Sequence, residues 1–168
     1  MEIKNATEYK RDRLRILAIG PAGSGKTTQL RTLPGKKLLF CFEDMGQQPA
    51  MDDWAAQLNT IENTIRKVTS LPKTVYITAH DNLMQDDLTK KIVNELVLTG
   101  QLKTRIPMLF SDILKFQCED EKFSMLTQPD RYNIKIRRSL PNLDAVMDVT
   151  IQDFGAPQNF GLGRLIKR

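Results

Sequence analysis

The chain lacks the material for several kinds of protein. Its 168 residues hold no apolar run of membrane-spanning length, which argues against a transmembrane helix. The start, Met1-Glu2-Ile3-Lys4-Asn5, is polar and charged and does not read as a signal peptide. Two cysteines, Cys41 and Cys118, stand far apart without metal-ligand spacing, and Cys41 inside an apolar stretch reads as a reduced core thiol. Together these features predict a cytoplasmic protein. Aromatic residues make up only 7% of the chain, few platforms for stacked bases, and Tyr76 and Tyr132 read as structural. Any contact with nucleic acid would then be chiefly electrostatic and salt-sensitive. No internal repeat and no low-complexity segment is present.

The length suits one globular domain with a sizeable core. The net charge of +5 is unevenly spread, with basic residues gathered at 10–13, at Lys103 and Arg105, along 131–138 and at 164–168. Such a surface suits a polyanion, or is simply a solvated face.

The most informative stretch is Gly20-Pro21-Ala22-Gly23-Ser24-Gly25-Lys26-Thr27-Thr28, which fills the pattern G-x-x-x-x-G-K-[ST]. Its flanks are right for a phosphate loop. Arg15-Ile16-Leu17-Ala18-Ile19 reads as a buried strand before it, and Gln29 to Leu33 as a helix stopped by Pro34-Gly35. The glycines let successive N–H groups turn inward toward phosphate oxygens. Lys26 would reach the β/γ-phosphates, and the Thr27 hydroxyl would be a ligand of Mg²⁺. The expected ligand is ATP. No N-K-x-D motif follows, which argues against a GTPase.

Residues 37–42, Lys-Leu-Leu-Phe-Cys-Phe, read as a second strand ending at Glu43-Asp44. From Asp52, Trp54, Leu58, Ile61, Ile65 and Val68 recur at helical spacing until Pro72, and 74–79 read as a third strand. Strands alternating with helices predict an α/β domain, a mostly parallel sheet with helices on both faces. Ligands of such sheets bind at the carboxyl ends of the strands. There the loop, Glu43-Asp44 and His80-Asp81 would share one rim. Glu43 is the candidate to polarise an attacking water, with Asp44 as alternate, and otherwise a solvated carboxylate. His80, the only histidine, is the candidate to sense the γ-phosphate, or else a structural residue. The aspartate-ending strand that usually holds Mg²⁺ is missing. Asp148, after Ala145-Val146-Met147, fits that role poorly and is not assigned it.

Farther on, 88–98 suggest a helix, and 122–126 with 132–137 suggest a C-terminal antiparallel hairpin across a turn at 128–131. Residues 145–151 read as an edge strand or a short helix. The expected organisation is a polar lead-in (1–13), the nucleotide domain (14–154) and a basic, loose C-terminal arm (155–168).

Taken together, G-P-A-G-S-G-K-T-T, L-L-F-C-F-E-D, the tryptophan-bearing helix and V-Y-I-T-A-H resemble the phage-encoded RecA-core ATPases, which include single-strand annealing proteins and recombinases. The resemblance runs from about Leu14 to Ile151 and is weakest after Leu109. It implies a RecA-like P-loop core with Glu43 as catalytic residue beside Lys26, and His80 as γ-phosphate sensor. It further implies that residues 81–107 face single-stranded DNA through Lys90, Lys91, Lys103 and Arg105. Members assemble as rings or filaments in which a basic residue acts in trans, here Arg137 or Arg138, which otherwise read as a solvated strand face. Single-stranded DNA, a second copy of the chain and a single-strand-binding protein are the implied partners, in an infected bacterial host. Family members carry an extra segment, including the Mg²⁺-holding strand, where Glu43-Asp44-Met45-Gly46 here runs straight into Gln47-Gln48-Pro49. A small-molecule kinase with residues 131–138 as its lid, or a nucleotide-bound assembly protein without hydrolysis, are the alternatives.

Overall fold

The computed structural model describes residues 14–35, 51–85, 90–139 and 143–166. In chain order these form β1 (Arg15–Ile19), α1 (Met51–Ser70), β2 (Val75–Ala79), β3 (Asp81–Gln85), β4 (Ile92–Leu96), α2 (Leu102–Arg105), β5 (Asp112–Glu119), β6 (Lys122–Leu126), β7 (Val146–Asp148) and α3 (Gly161–Ile166). Strand β1 organises the rest. Ile16 and Ala18 leave it on one face and Leu17 and Ile19 on the other, into two separate apolar clusters. Apolar residues on both faces are what a central, doubly covered strand needs.

The fold class is α/β, built on a five-stranded sheet in the order β2-β1-β5-β6-β7. Strands β2 and β5 both run parallel to β1, with Ile19 level with Ala79 on one side and Lys115 on the other. Strands β6 and β7 then add antiparallel, so the sheet is mixed rather than mostly parallel. One face carries Leu14, Ile16, Leu114, Phe116, Met125 and Val149, covered by Leu162 of α3. The other carries Leu17, Ile113 and Phe110, covered by α2 and by Leu58 and Ile65 of α1. Helix α1 ends where Pro72 forbids continuation. Trp54 lies on it, with its side chain outside the described residues. No helix among the described residues is long and apolar enough to cross a membrane.

Four further expectations are corrected. The helix expected after the glycine loop is a single 3-10 turn, Thr28–Arg31. Its side chains are spent on tertiary contacts: Gln29 Nε2 donates to Val149 O at 2.8 Å, and Gln29 Oε1 accepts from Leu162 N at 3.2 Å. Within the helix expected over 88–98, the described residues 92–96 form β4 instead, paired with β3 so that Leu83 stands opposite Asn94 and Met84 opposite Val93. Its branched residues Ile92 and Val93 favour an extended chain, and Asn94 N donates to Tyr132 O at 2.7 Å.

The C-terminal hairpin of 122–126 with 132–137 does not form. Strand β6 pairs with β5 across Asp120-Glu121, both at positive φ (48° and 62°), the handedness a two-residue hairpin turn demands. Residues 133–137 instead fold back so that Arg137 bridges Ile113. The expected loose arm is docked: Leu162 is fully buried, and Gly163 N donates to Thr32 Oγ1 at 3.0 Å. Residues 145–151 resolve in favour of an edge strand, β7. The predicted strand at 37–42 and its carboxylates Glu43 and Asp44 lie outside the described residues.

Candidate functional site

The end of β1 turns into the glycine loop against the backbone of β5. Gly20 is buried with φ 150°, and any side chain there would run into the Phe116 carbonyl. Gly25, at φ 80°, lies against the ring of Phe123, which fills the space a side chain would take. Both positions therefore require glycine on two counts, handedness and room. The loop closes on itself through Ser24, whose hydroxyl donates to Pro21 O at 2.8 Å. Beyond it Gln29 N donates to Gly25 O at 3.2 Å.

Lys26 is 7% exposed and curls back over the loop. Its ammonium donates to Gly20 O (2.8 Å), Pro21 O (2.6 Å) and Ser24 Oγ (3.2 Å). Burial lowers its pKa below the ordinary lysine value, and the negative charge of Asp81 works against that shift. Tyr76 of β2 fixes the backbone at the same residue, its hydroxyl donating to Lys26 O at 2.7 Å. Burial pushes the Tyr76 phenol well above its usual pKa, so it remains a donor at any physiological pH. Tyr76 is structural, as its sequence suggested.

Ala22 through Thr28 form one wall of a cleft of about 410 Å³ whose other walls are Thr78, Ala79 and His80 from the end of β2 and Phe123 from β6. Lys26 and His80 are thus brought to one cleft, as the strand-end argument expected. Thr27 and Thr28 are exposed at its edge. His80 is exposed, with its carbonyl accepting from Val97 N at 2.9 Å. Glu43 lies outside the described residues. Asp148 lies on β7, three strands from β1, and accepts from Thr150 N at 2.8 Å, so it stays unassigned.

Just behind the cleft is a feature the sequence reading passed over. Asp81, its side chain 2% exposed, pairs with Lys115, its side chain 10% exposed, at 2.9 Å. The buried Asp81 Oδ2 has no hydrogen-bond partner among the described residues beyond that ammonium. Lys115 stands level with Ile19, the last residue of β1 before the loop. Two lysines and one carboxylate at the strand ends leave a net positive charge there, which favours an anion. The signal available in sequence was the His80-Asp81 step itself, read only for its histidine. Phe123 was likewise read only as a strand residue.

No family model matches this chain, and neither does any curated protein or solved structure.

The predicted nucleic-acid residues have different surroundings. Lys90 and Lys91 are exposed where the chain enters β4, with Lys90 at φ 56°. Lys103 pairs with Glu95 at 2.9 Å, and Lys135 reaches the same carboxylate at 3.2 Å. Hydrogen bonding from Lys103, then from Lys135, holds the Glu95 carboxyl below the usual glutamate range against its partial desolvation. Arg105 meets Glu62 at 3.4 Å, and Arg66 meets it at 2.6 Å. Arg137 donates to Pro107 O (2.5 Å) and Phe110 O (2.8 Å), beside the start of β5 and away from the loop. Arg138 donates to Thr127 Oγ1 (3.2 Å) and to Leu143 O. Each of these two guanidiniums is engaged within its own chain.

For a triphosphate the residues present fit: a loop of backbone N–H groups, a lysine within it and a cleft beside it. For Mg²⁺ the described residues offer the Thr27 hydroxyl, and no group of three or more carboxylate, histidine or cysteine side chains among them is arranged to hold a metal. Asp81 is already committed to Lys115.

Proposed function

We propose that this protein binds ATP in the cleft between the Gly20–Thr28 loop and the end of β2. The observation that carries the reading is the convergence of two parallel strand ends on one cleft, with a buried lysine inside the loop. On binding, the Lys26 ammonium exchanges three neutral acceptors, two carbonyls and a hydroxyl, for phosphate oxygens. The ammonium's present bonds are already charge-assisted, and a phosphate oxygen adds the attraction of an opposite charge. His80, on the opposite wall, meets the terminal phosphate. Because Asp81 follows it directly and begins β3, a shift at His80 passes into the β3–β4 hairpin.

That hairpin and the exposed Lys90 and Lys91 are the part we assign to single-stranded DNA, in a cytoplasmic protein of RecA-like type acting in recombination or annealing. Lys103 and Arg105 would have to exchange their carboxylate partners for phosphates. Hydrolysis is proposed with Glu43 polarising the water, and a basic residue of a neighbouring copy completing the site. Arg137 and Arg138 serve in trans only if they leave their present partners within the chain.

ATP binding and turnover are measured for the whole chain with and without single-stranded DNA, beside Lys26→Ala. Binding lost in Lys26→Ala, with turnover that rises with DNA, is expected. Binding that survives Lys26→Ala would place the nucleotide elsewhere and sink the proposal. Binding without turnover would remove the hydrolytic part and leave a nucleotide-bound assembly protein.

A further inference from the structure

Phe123 sits where the apolar core reaches the cleft. On β6 it shares a face with Met125, which is fully buried, while Phe123 itself is half-buried. It is thus the last layer of the first apolar cluster, and its ring both touches Gly25 and lines the cleft. The remaining lining residues are glycines, an alanine on each wall, a serine, threonines, Lys26 and His80. A half-exposed benzene ring is the one large apolar surface among them.

Its position in the sheet sets the scale. Strands β2 and β6 are separated by β1 and β5, so His80 and Phe123 are offset across the sheet by three strand spacings, roughly 14 Å at ~4.8 Å per spacing. The glycine loop occupies the middle of that span. A phosphate chain lying along the loop with its terminal group at His80 has its other end, the sugar and base, directed toward β6.

We propose that Phe123 is the nucleobase platform of the site, the ring on which the base of a bound nucleoside triphosphate stacks. The proposal rests on the reading of the loop given above and adds the direction in which the nucleotide lies. It also bears on selectivity. Every base has a π-face, so stacking strengthens nucleotide binding without choosing among bases. Adenine and guanine nucleotides should gain alike from the ring, and any preference between them must come from groups at the base's edge.

The test compares ATP with inorganic tripolyphosphate, which has the phosphates but no base. Both are titrated calorimetrically into the full chain, into Phe123→Leu and into Phe123→Trp. Leucine keeps the apolar anchor of the core but removes the flat face, and tryptophan restores one. The expected result is a loss of roughly 5- to 100-fold in ATP affinity for Phe123→Leu. Tripolyphosphate affinity should stay unchanged, and Phe123→Trp should recover ATP binding. A parallel fall for ATP and tripolyphosphate would mean that the ring only supports Gly25, and would overturn the proposal. So would an unchanged ATP affinity, or a wild-type chain that binds ATP no better than tripolyphosphate. Those last two results leave the loop reading standing, whereas a wild-type chain that binds neither ligand removes both.

Discussion

Removing one member of the Asp81–Lys115 pair should cost far more than removing any other ion pair among the described residues. The other pairs have at least one side chain exposed by 28% or more, and exposed pairs are typically worth under about 1 kcal/mol. Here the exposures are 2% and 10%. Lys115→Met preserves most of the aliphatic stem but leaves the Asp81 carboxylate buried with its Oδ2 facing no donor. Breaking a buried pair in this way costs about 3–5 kcal/mol. For a chain of this size that corresponds to a fall in Tm of roughly 6–20 °C. Asp81→Asn should also destabilise, because the amide leaves the Lys115 ammonium without its counter-charge. The double variant removes both charges together, and most of the loss should return. Urea unfolding of the four proteins gives the coupling energy, expected at ~2 kcal/mol or more. Single variants that each cost under ~1 kcal/mol and add without coupling would show that water relaxes the pair, and the picture of a dry charged layer behind the loop would be wrong.

Two further outcomes follow from the packing and the charges. Leu162→Ala should cost about 2–5 kcal/mol by chemical denaturation, since Leu162 is fully buried in the first cluster; a change below ~0.5 kcal/mol would return the segment to the loose arm its sequence suggested. The Glu95 pKa is depressed below its ordinary value of about 4.5 by Lys103 and Lys135, so its stabilisation is full above that value and drains away as pH falls through the lower, folded one. Glu95→Gln should flatten that acid limb by an amount on the order of 1 kcal/mol or less, and an acid limb identical to wild type would show that the pair is not formed in solution.

The loop, the strand before it, α1 and β2 were legible because each has a strong local signal. Three glycines at fixed spacing, a five-residue apolar run and a long helical period all act within a few residues. The 3-10 turn was missed because Gln29 and Thr32 have ordinary helix-compatible sequences, and their partners, Val149, Leu162 and Gly163, lie at the other end of the chain. The β3–β4 hairpin was missed for a different reason. It leaves Leu83, Met84 and Ile92 exposed at 59%, 49% and 53%, so no in-out alternation marks it. Strand β6 was recognised but given the wrong partner, because the polar Asp120-Glu121 turn lacks the glycine that usually announces a two-residue hairpin. At the site itself, Lys26 came from the glycine-loop motif and His80 from strand-end logic. Phe123 and Lys115 could not, since their relation to the loop exists only once β5 and β6 have joined β1.

The docking of α3 onto the turn after the loop has a consequence for how the protein comes into being. A ribosome that has released the chain as far as Gly35 has delivered the whole glycine loop but not the partners that hold it. Tyr76, which holds the Lys26 carbonyl, comes 50 positions later, and Leu162, which donates to Gln29, comes 133 positions after its partner. Contacts so distant in sequence form late and slowly. The proposed nucleotide binding should therefore arrive together with the closing of this fold rather than ahead of it.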